Sequence, residues 1–161
     1  MPYLAGANTL KTLQCLANDE WAARLEMEKA ELMTTATATV RSFLSLMEQR
    51  QLDAAKALLA PGFQMTFPGE AQFSTLEALV IWGAERYASV AKHYERFDEL
   101  SDSSNPTQQV VYCFGTLHGQ WLDGSAFTGI RFIDRFVVAD GLLVDQRVWN
   151  DLAEAKGCQL Q

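Results

Sequence analysis

The stretch VVYCFGTLHGQWLDGSAFTGIRFIDRFVVADGLLVDQRVW, residues 110–149, decides the fold of this 161-residue chain. Residues 110–121, 127–138 and 142–149 are rich in β-branched and aromatic residues with strand-like alternation. Asp-Gly pairs at 123–124 and 140–141 separate these runs, and Asp-Gly between two such runs is a strong hairpin signal. The stretch therefore predicts three consecutive antiparallel strands.

Helical patterns precede these strands. Val40, Phe43, Leu44 and Met47 recur at the spacing of one helix face, and a short helix with apolar residues from 52 to 59 follows until Pro61-Gly62. Residues 63–67 alternate like a half-buried strand. The order of elements, helices first and an antiparallel meander afterwards, predicts an α+β domain.

The longest predicted helix spans residues 76–90, with Ser74 or Thr75 as its N-cap. Residues 92–102 are the weakest candidate strand. We expect the long helix to cross the concave face of the curved sheet, which then encloses a cavity wherever the helices do not fill it.

Outside this domain the chain carries two further segments. Residues 1–34 are predicted to be an N-terminal extension with a helix at about 19–33, because Asn18 and Asp19 are good N-caps. Residues 35–152 form the predicted α+β domain, and 153–161 are predicted to be a C-terminal tail.

The composition limits the classes of partner that we expect this chain to bind. A hydrophobic fraction of 48% and a net charge of −7 are typical of a globular domain and argue against nucleic acid or an anionic membrane. The N-terminus lacks a basic segment before an apolar run, and the most apolar stretch, 78–84, is too short to cross a bilayer. Cys15, Cys113 and Cys158 show no CxxC spacing, which favours reduced thiols and a cytoplasmic location. We predict no cofactor and no metal, since the histidines lack HxH or HxxxH spacing.

Three motifs together resemble the nuclear-transport-factor-two-like superfamily, especially its SnoaL-like and scytalone-dehydratase-like branch. They are AAKALLAPGFQMTFPG (54–69), AKHYERF (91–97) at the predicted end of the long helix, and FIDRFVVADGLL (132–143). The resemblance covers residues 35–152 and implies a cone-shaped curved sheet wrapped around a long helix. It also implies a pocket for a small hydrophobic molecule, but members range from cyclases, dehydratases and isomerases to non-catalytic binders.

Residue by residue, the resemblance is partial. Ketosteroid isomerases have an aspartate just before a proline after the first strand, where this chain has Phe67. Their second acidic residue matches Asp134 in the run Ile-Asp-Arg-Phe. Scytalone-dehydratase-like members use two histidines that correspond to His93 and His118, and an acid that corresponds to Glu48. The resemblance therefore suggests acid–base chemistry by these groups.

Asp134 also stands out without the resemblance, because its strand neighbours on the same face are apolar. A desolvated carboxylate has a raised pKa and suits acid–base or hydrogen-bonding work, although a structural aspartate held by neighbours remains the alternative. The orientation of His118 depends on the hairpin loop that follows it. A three-residue loop at 122–124 turns it towards the cavity, and a two-residue turn points it outward. His93 is either a second acid–base group or a solvated residue at a helix end.

Two functions follow as expectations. The first is a cofactor-independent lyase or isomerase, dehydratase- or cyclase-like, acting on a small hydrophobic cyclic or polyketide-like substrate through His93, His118 and Asp134. The second is a non-catalytic binding module or oligomeric subunit. In either case the predicted substrate-binding wall comprises Phe67, Trp82, Tyr87, Tyr112, Phe114, Thr116 and Phe132. The alternative is that the aromatic residues among them are simply part of the core.

The convex face of the predicted sheet suggests self-association. Phe127, Ile133, Val137 and Trp149 are expected on that face among charged residues, and an exposed apolar patch of this kind usually marks an interface. A homodimer is the commonest solution.

Overall fold

A computed structural model of the protein describes residues 35–158. The predicted helix at 19–33 lies outside the described residues. The helices are α1 Ala36–Glu48, α2 Leu52–Lys56, α3 Leu76–Ala84 and α4 Leu152–Cys158. The strands are β1 Leu59–Phe67, β2 Ala71–Phe73, β3 Tyr87–Ser101, β4 Gln108–Trp121, β5 Ala126–Ala139 and β6 Leu142–Asn150.

The six strands form one curled, unclosed sheet in the order β2-β1-β6-β5-β4-β3. Strands β4, β5 and β6 are consecutive antiparallel neighbours, as the two Asp-Gly signals predicted, and β3 adds a further antiparallel neighbour to β4. Strand β1 pairs with β6 in parallel, so the sheet is mixed rather than purely antiparallel. The α+β class and the curved-sheet architecture are confirmed.

Helix α1 is the helix that packs across the concave face. Its inward residues Val40, Phe43 and Leu44 are buried, and the helix contacts strands β3 to β6. The ring of Phe43 meets Phe63 and Phe136 edge-on at centroid distances of 6.2 and 6.0 Å. The core therefore lies between α1 and the sheet.

The helix predicted at 76–90 is wrong in length and in position. Thr75 caps α3 by accepting a hydrogen bond from the Ala78 amide, but α3 ends at Ala84 and packs beside β2 and β3. From Tyr87 to Ser101 the chain forms β3, which pairs with β4. Gly83 lies in the last turn of α3 beside this strand, and a Cβ there would lie 2.9 Å from the Tyr87 hydroxyl. The long pairing with β4 overrides the helical spacing of the apolar residues.

A bulge in the β4–β5 hairpin fixes which side chains face inward. The loop does contain three residues, 122–124, and is closed by the Trp121 amide bonding to the Ser125 carbonyl at 2.9 Å. Gly119 pairs with Phe127, whereas Leu117 pairs with Ile130. The extra residue lies at Gly129, whose φ of 71° is readily adopted only by glycine.

This bulge shifts the register of the rest of the hairpin by one residue. Asp134 therefore pairs with Cys113, where a regular three-residue hairpin would pair it with Tyr112. Phe127, expected on the outer face, is buried in the core against Trp121 for the same reason.

The C-terminal segment is not an irregular tail throughout, because α4 begins at Leu152. Within residues 35–158, none of the helices combines the length and apolarity needed to cross a bilayer.

Candidate ligand site

Two neighbouring cavities lie inside the cone. The helix-side cavity, of about 140 Å³, lies between α1, α3 and β3, and the sheet-side cavity, of about 80 Å³, lies between β3, β5 and the start of α4. Both are lined by Phe67, Tyr87, Val90 and Lys92. Lys92 is the one charged side chain common to the two linings, so it marks the boundary between the cavities.

The ammonium group of Lys92 forms an ion pair with Oδ2 of Asp134. The Asp134 side chain is fully buried, whereas 20% of the Lys92 side chain is exposed. Nζ of Lys92 also lies 4.5 Å from the centroid of the Phe132 ring, a favourable position for a cation. Asp134 is its single hydrogen-bond partner among residues 35–158. An ammonium has three N–H donors, so Lys92 retains donors for a ligand.

Asp134 is surrounded by core residues. Its neighbours on the inner face of β5 are Phe132 and Phe136, and its cross-strand neighbours are Cys113 and Val148. Burial raises the pKa of Asp134, and the charge and hydrogen bond of Lys92, together with the side chain of Gln146, oppose that rise. In the described part of the chain, Oδ1 of Asp134 has no hydrogen-bond partner. A buried carboxylate oxygen without a partner is unusual and is available to a ligand or a water.

Gly115 leaves room for this ion pair. It lies on the inner face of β4 between Leu117, which pairs with Lys92, and Cys113, which pairs with Asp134. A Cβ at Gly115 would overlap the backbone oxygen of His93 and would lie 3.1 Å from the Phe132 ring. A glycine at this point therefore allows β3 and the Phe132 ring to approach closely.

A second polar pair lies at the mouth of the helix-side cavity. The Tyr94 hydroxyl donates a hydrogen bond to Oε1 of Glu48 at 3.1 Å, and both residues line that cavity. Burial, reinforced by the charges of Glu48 and Asp134, raises the pKa of Tyr94. Tyr94 therefore remains a protonated hydrogen-bond donor at neutral pH.

Aromatic rings form part of the wall of the sheet-side cavity. Trp82 contacts Phe67 and Phe73 at centroid distances of 5.5 and 5.3 Å, and Arg86 stacks over its ring at 4.3 Å. Burial raises the pKa of Tyr87, whose hydroxyl is seated beside Gly83. Of the predicted wall, Phe67, Trp82, Tyr87 and Phe132 do line the sheet-side cavity.

The two histidines do not belong to this site. His93 and His118 are both exposed and lie on the outer face of the sheet, opposite to Lys92 and Leu117. The expectation of a cavity-facing His118 is wrong, because the irregular pairing around Gly129 leaves His118 in the outward row although the loop has three residues. His93 is on a strand and not at a helix end, and strand alternation turns it away from the cavity.

The remaining predicted wall residues are also on the outer face. Tyr112 and Phe114 stack on each other at a centroid distance of 6.4 Å, and Thr116 pairs with Arg131 and His93. They face outward for the same reason as His118, because the inward-facing residues of β4 are Cys113, Gly115 and Leu117. The outer face presents Phe114 and Thr116 in a shallow groove beside Trp149.

Lys92 is not among the site residues that the sequence predicted. The alternation of Val90, Lys92 and Tyr94 would have placed this lysine on an apolar strand face, but the predicted helix at 76–90 separated Val90 from the candidate strand at 92–102 and so concealed the pattern. A lysine between apolar residues at a spacing of two is the signal that identifies it.

Cys113 is adjacent to the ion pair but is poorly suited to act as a nucleophile. Burial and the Asp134 charge raise the pKa of its thiol to about 12, so it stays protonated. In the described part of the chain, no group of three or more His, Cys, Asp or Glu side chains is arranged to hold a metal ion.

The fold has clear counterparts among solved structures. A protein of unknown function from Burkholderia pseudomallei, described as NTF2-like, superposes with a TM-score of 0.62 at 19% identity, over 74% of this chain and 92% of that chain. TerC, co-crystallised with polyporic acid, superposes with a TM-score of 0.61 at 15% identity, over 74% and 93%. The chain has the nuclear-transport-factor-two-like fold.

A structure from Jannaschia sp., assigned as a SnoaL-like polyketide cyclase, is similar as well, with a TM-score of 0.54 and 20% identity over 74% of this chain and 90% of that chain. No family model and no curated protein sequence matches the chain. The comparisons therefore establish the nuclear-transport-factor-two-like fold, a fold that suits small-molecule binding, without a specific reaction.

Proposed function

We propose that this chain binds a compact, mainly apolar molecule that carries a carbonyl group, and that Lys92 donates a hydrogen bond to the carbonyl oxygen. The observation that carries the proposal is the position of Lys92, whose ammonium lies between two mainly apolar cavities with a single protein acceptor among the described residues. A donor placed in a mainly apolar pocket selects for a ligand acceptor, because leaving that donor unpaired is unfavourable.

The cavity volumes limit the size of the ligand. A dry cavity of roughly 150 Å³ accommodates benzene, and the helix-side cavity of about 140 Å³ is comparable. A single ring with a short substituent reaching the sheet-side cavity is therefore the favoured shape. The neighbouring structure of TerC with polyporic acid supports a small-molecule role for this fold.

A lyase or isomerase reaction is the second candidate, and the free oxygen of Asp134 favours it. With the two histidines on the outer face, acid–base chemistry falls to the groups of the cavity. Lys92 would polarise the bound carbonyl, which acidifies the adjacent C–H bond, and Oδ1 of Asp134 would accept that proton. This proposal replaces the two-histidine mechanism and needs no cofactor.

Binding of matched probes tests the proposed function. Acetophenone and ethylbenzene have similar shapes, but only acetophenone carries a carbonyl, and their binding can be followed by amide chemical shifts of the labelled protein. We expect wild-type protein to bind acetophenone more tightly than ethylbenzene. Lys92→Met should weaken acetophenone by about tenfold or more, the effect of losing a hydrogen bond from a charged group, and should leave ethylbenzene almost unchanged.

Val90→Phe provides the control, because Val90 lines both cavities and a phenyl ring there should fill them. This variant should bind neither probe while it keeps the folded spectrum. Failure of wild-type protein to bind acetophenone, or equal binding by Val90→Phe, would contradict the proposed site.

A further inference from the structure

We propose that Lys92 forms a reversible imine with small aldehydes that enter the cavities, and that Asp134 takes and returns the protons of this reaction. The proposal rests on the proposed function, since the same pocket must admit a carbonyl compound. It adds a covalent step and a narrower ligand class, the aldehydes, because a primary amine attacks their unhindered carbonyl carbon readily.

The position of Lys92 is suited to a nucleophile. Its Nζ lies against the Phe132 ring and between cavities whose shared walls include Phe67, Tyr87 and Val90. An ammonium has no lone pair for attack, so a proton must leave first. The immediate acceptor is Oδ2 of Asp134, which already holds the hydrogen bond.

Burial of the pair lowers the free-energy cost of that proton transfer. The transfer converts a buried carboxylate and a mostly buried ammonium into two neutral groups, and so removes the cost of keeping two charges out of water. Burial already raises the pKa of Asp134, which makes its carboxylate a better base than an exposed one. Oδ1 has no partner among residues 35–158, so the acid formed can reorient towards the substrate.

Imine formation requires addition of the Lys92 amine to the aldehyde and then loss of water. The neutral amine of Lys92 attacks the aldehyde carbon, the π electrons of the C=O bond move to oxygen, and Asp134 returns its proton to that oxygen. A proton on nitrogen then passes through Asp134 to the hydroxyl group, which leaves as water while the nitrogen lone pair forms the C=N bond. The nitrogen keeps its one remaining hydrogen, so loss of water gives the protonated imine directly, a cation that pairs with the Asp134 carboxylate.

Lys56 is a natural control for this reactivity. It is exposed, it pairs with Glu77 and Asp53 on the surface, and it lines neither cavity. Its hydrogen bond with Glu77 raises the pKa of Lys56, which disfavours the neutral amine. The raised pKa of Cys113 likewise keeps this neighbouring thiol from competing for the aldehyde.

Reductive trapping tests the proposal directly. Full-length protein is treated with benzaldehyde and sodium cyanoborohydride, which reduces an imine to a stable benzyl amine, and the chain's five lysines are then examined by peptide mass spectrometry. We expect the first benzyl group on Lys92, at a rate about tenfold or more above that at Lys56. Asp134→Asn should slow labelling at Lys92 by at least about tenfold, because the proton acceptor is lost.

Lys92→Arg separates the imine from simple binding. A guanidinium keeps the charge beside Asp134 but does not form the imine, so this variant should still bind acetophenone and should lose the fast labelling; thermal unfolding verifies that it is folded. Binding of acetophenone without preferential labelling of Lys92 overturns the imine alone. Absence of acetophenone binding overturns the proposed function itself, and undiminished fast labelling in Lys92→Arg overturns the assignment to Lys92.

Discussion

Lys92 on β3 and Asp134 on β5 form an ion pair even though β4 lies between their strands. Curvature of the sheet makes the contact possible, because inward side chains on a curled sheet converge. The pair thereby links two strands that share no backbone hydrogen bonds. The stability of the ion pair and the protonation of Asp134 are therefore measurable indicators of the curled sheet.

Removing one member of this ion pair should lower the stability of the folded protein. Lys92→Met leaves the buried Asp134 without its cation, and we expect the free energy of unfolding in urea to fall by about 3 kcal/mol at neutral pH. The double variant Lys92→Met with Asp134→Leu replaces the pair with apolar groups and should recover most of that loss. Lys56→Met, which removes an exposed pair, should be nearly neutral. A double variant no more stable than Lys92→Met would argue against a buried charge as the cause.

Burial of Asp134 predicts a specific pH dependence. Its folded pKa is raised above the ordinary value of 3.8, so between these two pKa values the folded chain binds more protons than the unfolded chain. This carboxyl therefore makes the protein less stable as pH rises from about 4 through the folded pKa, and the penalty stays constant above it. The other titratable groups facing it are Lys92, Tyr94 and Cys113, and the raised pKa values of the last two keep them uncharged in this window.

Urea unfolding of wild type and Asp134→Asn across this pH range provides the measurement. As pH rises, the wild type should lose stability relative to Asp134→Asn, and the difference between their unfolding free energies should then become constant. In Lys92→Met the change should extend to higher pH, because the cation that opposes the rise in pKa is gone. A difference that is flat with pH would show that Asp134 titrates normally in the folded protein.

Much of the fold was predictable because its signals are local. The two Asp-Gly hairpins and the alternation in residues 127–138 fixed the antiparallel strands, and Val40, Phe43 and Leu44 identified the buried face of α1. The boundary at Ala84 was not predictable from apolar spacing, since Tyr87 and Val90 have helical spacing and both face the cavities only because the register of β3 shifts between Tyr87 and Ser89. Pairing of β3 with β4 decides between them, and that contact is non-local.

The candidate site was less predictable because it depends on register. Asp134 lies on the inner face because its own strand alternates, whatever its partner. His118, by contrast, depends on the bulge at Gly129, and one inserted residue reverses the facing of every side chain beyond it. Lys92 needed the correct strand assignment before its inward position could be inferred.

Gly115→Ala should disturb the site through the backbone. The added Cβ would overlap the His93 backbone oxygen and press on Phe132, so we expect a loss of about 2–3 kcal/mol of stability and weaker acetophenone binding. Gly157→Ala is the matched control, because a Cβ there meets nothing within 4 Å, and in a helix it should be neutral or slightly stabilising. Urea unfolding and probe titration measure both effects. Equal behaviour of the two variants would show that Gly115 is not a close-approach position.

The outer face of the sheet leads to a proposal of self-association. Ile133 and Trp149 are cross-strand neighbours with exposed fractions of 39% and 50%, and Phe114 pairs with Ile133 on the other side. The pair Arg131–Asp151 lies beside them, so the patch carries both signs of charge. A surface with apolar and mixed charged residues can match a second copy of itself, and we propose a two-fold homodimer through this face.

Ile133→Glu tests that proposal with a matched control. A carboxylate at the centre of a self-complementary patch meets its own copy across the two-fold axis, so the variant should dissociate into monomers over the concentration range in which wild type is dimeric. Ile81→Glu introduces the same charge at a position that is 65% exposed on α3, away from the patch, and should leave the dimer intact. Analytical ultracentrifugation distinguishes the two species. Wild-type protein that sediments as a monomer at high micromolar concentration would contradict the dimer, and loss of the dimer in Ile81→Glu would place the interface on the helical side of the molecule.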